Sequence, residues 1–125
     1  MKLLDSKKAI EQYIANNYNE TEIHWAGMKF NTEGKNEWVH FQYVADIVSD
    51  CGFSNDKYSQ QGSLQVSIVS KNPFRCNEIA DVVLDMFKGV KIDKLFTGKV
   101  RILTTDYVEE IDKSIMEIEI LLTTM

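Results

Sequence analysis

Nucleophilic chemistry in this chain would have to draw on Cys51 or Cys76 as nucleophile and His24 or His40 as base, the only cysteines and histidines in 125 residues. A thiol needs a neighbouring base or positive charge before it becomes a thiolate near neutral pH. Cys51 sits in "SDCGF" beside Asp50, a neighbour of the wrong sign for activation, and nothing local orients either imidazole. Cys76 falls on the apolar stripe of a helix and reads as a small buried hydrophobe. A cysteine-dependent enzyme is therefore disfavoured. Two cysteines without paired spacing indicate neither a disulfide framework nor a zinc site, and reduced thiols are expected.

The carboxylates give no better start. Asp46, Asp50 and Asp56 lack the alternating oxygen ligands and terminal glutamate of a calcium loop. Glu109, Glu110 and Asp112 read as a charged turn between strands, with no pair whose surroundings would separate an acid from a base. The turn "SKNP" at residues 70–73 has no glycines to wrap a phosphate, and its lysine precedes the helix instead of entering it. Capping explains it better. His40 reads as a surface or interface residue, and Trp25 and Trp38 as core or rim aromatics. No catalytic, metal or cofactor-binding residue is assigned, and no cofactor is expected.

The elements that would position any site follow from periodicity. A first helix, capped by Asp5 or Ser6, places Leu3, Ile10, Tyr13, Ile14 and Asn17 on one side and Lys8, Glu11, Gln12 and Asn16 on the other. "IHWAGMKF" predicts a short extended piece with a kink at Gly27, and "NTEGKN" a turn around Gly34. In "EWVHFQYVADI", Val39, Phe41 and Tyr43 share one strand face and Trp38, His40, Gln42 and Val44 the other. Residues 49–61 show no sustained period and predict a long polar loop carrying Phe53 and Tyr58; loops of that length are uncommon unless they have a task or are disordered when unpartnered. "GSLQVSIVS" places Leu64, Val66 and Ile68 inward.

Asn72-Pro73 then caps the best-defined helix. Its stripe is Cys76, Ile79, Ala80, Val83, Met86 and Phe87, its wet side Glu78, Asp81, Asp85 and Lys88, and Gly89 its stop. Val82 and Leu84 widen the apolar arc, which fits either contact with another chain or a deeply seated helix. "VKIDKLFTG" predicts a short strand and a turn at Thr97-Gly98. "KVRILTT" turns Val100 and Ile102 inward, and "SIMEIEILL" turns Met116, Ile118, Ile120 and Leu122 inward. As a hairpin they would oppose Arg101 to Glu117 and Lys99 to Glu119. The order of elements predicts a single α+β domain over residues 1–125, a mainly antiparallel sheet of four to five strands with two α-helices packed against it.

Composition excludes several functions. Nineteen acidic against fourteen basic residues leave a formal charge of −5, the wrong sign for general nucleic-acid affinity. "MKLLDSKK" reaches charge after two leucines, so neither an export signal nor membrane association is expected. An apolar content of 44% with one proline argues against disorder.

Taken together, the initial helix, "IHWAGMKF", "EWVHFQYV", the long polar stretch, "GSLQVSIVSKNPFRCNEIADVVLDMFKG" and "IMEIEILL" resemble the tail terminator, or tail completion, proteins of long-tailed bacteriophages and prophages. The resemblance covers nearly the whole chain and rests on order and spacing. It implies a structural virion protein without catalysis, assembled in the bacterial host cytoplasm and resident in the virion tail. Such proteins form a ring, commonly a homohexamer, that caps the tail tube, ends its polymerisation and presents a head-joining surface. The implied partners are copies of itself, the tail tube protein and a head-tail connector protein. Phe53, Tyr58, Val82 and Leu84 are the candidate interface residues, and Glu109, Glu110, Glu117 and Glu119 the candidate carboxylates of a lumen that repels DNA. A head-closure or other neck protein, and a generic intracellular protein-interaction domain, are the alternative expectations.

Overall fold

Strict alternation in the two most apolar strands builds the middle of a sheet. In the computed structural model, which describes the backbone of residues 3–50 and 58–124 and the side chains of residues 6–45 and 61–124, the order is α1 (Leu3–Asn17), β1 (Glu22–Trp25), β2 (Glu37–Asp50), β3 (Tyr58–Ser70), α2 (Pro73–Phe87), β4 (Lys91–Ile92), β5 (Leu95–Val108), a 3-10 turn (Glu109–Ile111) and β6 (Lys113–Thr123). The central pair is β3 with β6, where Leu64 opposes Ile120, Val66 opposes Ile118 and Ile68 opposes Met116. On the other side of β3, Val39 meets Ile68 and Phe41 meets Val66.

These inward residues are buried, and one contiguous core joins them to Cys76, Ile79, Val83 and Phe87 of α2 and to Ile10 and Ile14 of α1. Full burial of each large apolar side chain contributes about 1.5–3 kcal/mol. The core therefore lies between one sheet face and both helices. α2 is capped as its sequence dictates: the Asn72 side-chain oxygen accepts a hydrogen bond from the Phe74 amide at 2.9 Å, Pro73 follows, and Gly89 takes φ +62° just beyond the end. α1 and α2 are tied by the Tyr13 hydroxyl, which donates to the Met86 carbonyl, and by the Tyr13 ring 5.4 Å from that of Phe87.

The α+β class stands, but the sheet differs from expectation. Among the described residues it has six strands in the order β1-β2-β3-β6-β5-β4, is mixed, and curls into a half-barrel. β1 runs parallel to β2, Glu22 opposite Trp38 through Trp25 opposite Phe41. Two extended pieces so near in sequence ordinarily pair antiparallel through a turn. Here residues 26–36 instead cross the outer face and let the chain begin again from the same end. Phe30 anchors that crossing, stacked on His24 at 5.0 Å and 6.0 Å from Trp38.

Several smaller features also differ from expectation, most of them where strands pair across the fold. The predicted loop at 49–61 is strand on both sides: Ser49 pairs with Ser59 and Asp50 with Tyr58. The β4–β5 turn falls at residues 93–94, where Asp93 takes φ +55°, and not at Thr97-Gly98, which lies inside β5 at a register shift. α1 begins at Leu3, so Ser6 is an interior, fully buried position and not its cap. Met86 is half-buried instead of lying fully on the core stripe. Finally, the β5–β6 register is two residues from the predicted one: Arg101 faces Glu119, and a bulge after Ile102 places Thr104 opposite Glu117. Val100 opposite Ile120 and Ile102 opposite Ile118 keep the expected parity.

Candidate interaction surfaces

Among the described residues, the groups that could do chemistry are not assembled for it. Cys76 is fully buried, with its thiol 3.6 Å from the Ser114 carbonyl and 3.8 Å from that of Ile68. Burial pushes this thiol up, the opposite of what a nucleophile needs. Cys51 and Asp56 lie outside the described residues. His24 and His40 meet edge to face at 4.8 Å on the outer sheet face, where burial, then the neighbouring imidazole, holds His40 below the usual histidine range. Among the described residues no three His, Cys, Asp or Glu side chains converge as a metal site would require. A groove of about 650 Å³ runs between α1, at Lys8, Glu11 and Gln12, and the turn bearing Trp25 and Met28. It brings no reactive pair together.

Surface architecture is more distinctive. β3 pairs with β6 only from Gln61 onward, while its pairing with β2 continues to Tyr58. Residues 47–50 and 58–60 therefore form a two-stranded ribbon that leaves the sheet. A bulge between Ala45 and Ile47 marks where it departs. Gly62 allows the close approach there, since a Cβ on it would lie 2.5 Å from the Val44 carbonyl oxygen and 2.8 Å from the Tyr43 hydroxyl. Of the aromatic anchors, Tyr58 opens β3 on this ribbon and Phe53 lies outside the described residues. Val82 and Leu84 are half-buried and pack against the core.

The four candidate carboxylates separate into two groups. Glu117 and Glu119 project from β6 on the face away from the helices, and Glu109 and Glu110 occupy the exposed turn at the hairpin end. Glu119 is not a free charge: Arg101 reaches it at 2.7 Å. A second cluster ties the start of α2 to the sheet, with Arg75 3.1 Å from Glu37, 3.4 Å from Glu20 and 3.6 Å from Glu78.

One surface was missed by sequence reasoning. Val100 and Ile102 face the helix side, as alternation predicts, yet they remain 43% and 64% exposed. Tyr107 farther along the strand is 57% exposed. α2 packs on β3 and β6, and α1 touches β2 and β4; the inward face of β5 is buried at Leu95 but uncovered from Val100 onward. The available signal was one of count, since two helices must cover a wide sheet.

No family profile matches the chain, and no curated protein matches it. Solved structures do share its fold. One aligns over 94% of this chain and 94% of its own length at TM-score 0.68 and 10% identity. Another is a chain from the virion of a native gene transfer agent particle, aligned over 94% of this chain and 90% of its own at TM-score 0.57 and 12% identity. At such identities the likeness is one of fold.

Proposed function

We propose that this chain is a structural protein of a phage-like virion, and more narrowly a tail terminator: a ring of copies that caps the tail tube, stops its growth and offers the head a joining surface. The observation that carries the reading is the near full-length fold likeness to a chain of a gene transfer agent virion. Fold alone does not specify function, and two further features support it. The ribbon leaving the sheet and the face of β5 uncovered from Val100 onward are surfaces suited to protein contact, whereas Cys76 and the histidines are arranged without a site. In this reading the protein acts by shape complementarity, without catalysis or cofactor, and Glu109, Glu110 and Glu117 keep the lumen from holding DNA phosphates.

Light scattering with and without tail tube protein tests the reading. Association with the tube and a ring-sized species are expected; a chain that stays monomeric and never binds the tube would rule it out. Electron microscopy of particles lacking the protein separates termination from head closure, because overlong tails follow only from failed termination.

A further inference from the structure

The sheet ends in two long open borders. β1 stops opposite Phe41, so residues 44–50 of β2 have no strand on that side among the described residues. β4 pairs only as far as Phe96, so residues 98–108 of β5 have none on theirs. Such borders present rows of unmatched backbone donors and acceptors, and proteins usually shorten, cover or charge them. Here both are long, and β5 also shows Val100, Ile102 and Tyr107 uncovered on the face beside its border.

We infer that copies of this chain join edge to edge, residues 98–108 of β5 pairing antiparallel with residues 44–50 of β2 in the next copy. This rests on the ring reading above and names the contact that would build it. Three observations select a second copy as the occupant. First, β2, β3, β6 and β5 alternate in direction, every neighbour antiparallel, so a copy that continues the sheet brings its β2 against β5 in the same alternation. Second, the borders differ in charge. Residues 98–108 hold Lys99, and Arg101 already paired with Glu119, against Asp106, whereas residues 44–50 hold Asp46 and Asp50 and no base. Third, the borders differ in cover: α1 touches β2, whereas the inward face of β5 is exposed from Val100 onward. Continuing the sheet sets the next copy's α1 beside the face that lacks a helix.

The contact is head to tail, the kind that closes a ring instead of ending at a dimer. β1 covers β2 at the end where β5 is open, so the borders meet only when successive copies are displaced along the strands. Closed sheets require the same stagger.

Hydrogen exchange on the full chain, below and above the concentration at which light scattering shows assembly, tests this. Protection gained on assembly by peptides covering residues 44–50 and 98–108 is the expected result. Ile102→Glu, at an exposed position, should leave the monomer folded by circular dichroism and raise the assembly midpoint roughly tenfold or more. Assembly with protection confined to other elements, or an assembly indifferent to Ile102→Glu, overturns the edge contact and leaves the ring reading standing. Protection of these borders only when tube protein is added, without self-assembly, overturns the second copy as occupant. A chain monomeric under all conditions, tube protein included, overturns both.

Discussion

Cys76 was legible as a core residue from its place on the α2 stripe, and its reactivity follows. Fully buried and with burial raising its pKa, it should resist iodoacetamide in the native protein near pH 8 and react after denaturation, as peptide mass spectrometry would show. Rapid native labelling of Cys76 would contradict the packing described. His40 carries a pH consequence. Its folded pKa lies below the unfolded value, so the unfolded chain binds the proton more readily. The neutral imidazole's contribution is therefore complete above the unfolded pKa of about 6.5 and is lost as pH falls below it toward the folded value. Urea midpoints should decline from pH 7.5 to 5.5, less steeply in His40→Gln. Equal slopes would show that His40 does not carry the effect. Gly62→Ala should cost about 1–3 kcal/mol in denaturant unfolding, because its Cβ meets backbone at 2.5 Å.

At the level of elements, α2 shows sequence and structure in closest agreement. Its cap, proline and terminal glycine are local devices, and Asn72→Ala should cost about 0.5–2 kcal/mol by removing the bond to the Phe74 amide. The ribbon shows the opposite case. The stretch 49–61 is mostly polar and shows no sustained period, so periodicity could not distinguish strand from loop there. Replacing residues 49–59 by Asn-Gly joins Val48 to Gln60, which are paired, with a two-residue turn. The shortened protein should keep its far-ultraviolet dichroism and cooperative unfolding while losing association with tail tube protein. Retained association would remove the ribbon from the proposed function.

At the level of the whole molecule, the acidic balance and the open borders act together. A chain of formal charge −5 repels its copies over long distances. In the proposed edge pairing, Asp46 and Asp50 of one copy would lie along the border that carries Lys99 in the next and offset that repulsion locally. Salt screens the longer-range repulsion over about 10 Å at 0.1 M and leaves short contacts less affected. Self-assembly measured by light scattering should therefore strengthen between roughly 0.02 and 0.15 M salt. Weakening over that range would mean that edge attraction outweighs net repulsion.

By itself the sequence determined the α+β class, the position and caps of α2, the inward sets Val39 and Phe41, Leu64 to Ile68 and Met116 to Leu122, and the placement of Cys76 in the core. Each of these depends on spacing along the chain, and one buried face imposes a period that is readable there. Only the tertiary structure decided that β1 runs parallel to β2, that Arg101 meets Glu119 across a bulged hairpin, and that β5 from Val100 onward turns an apolar face to no helix. Those outcomes depend on which segments meet across the fold and on what remains to cover them. An alternating strand reads the same whether its apolar face meets its own helices or awaits another chain.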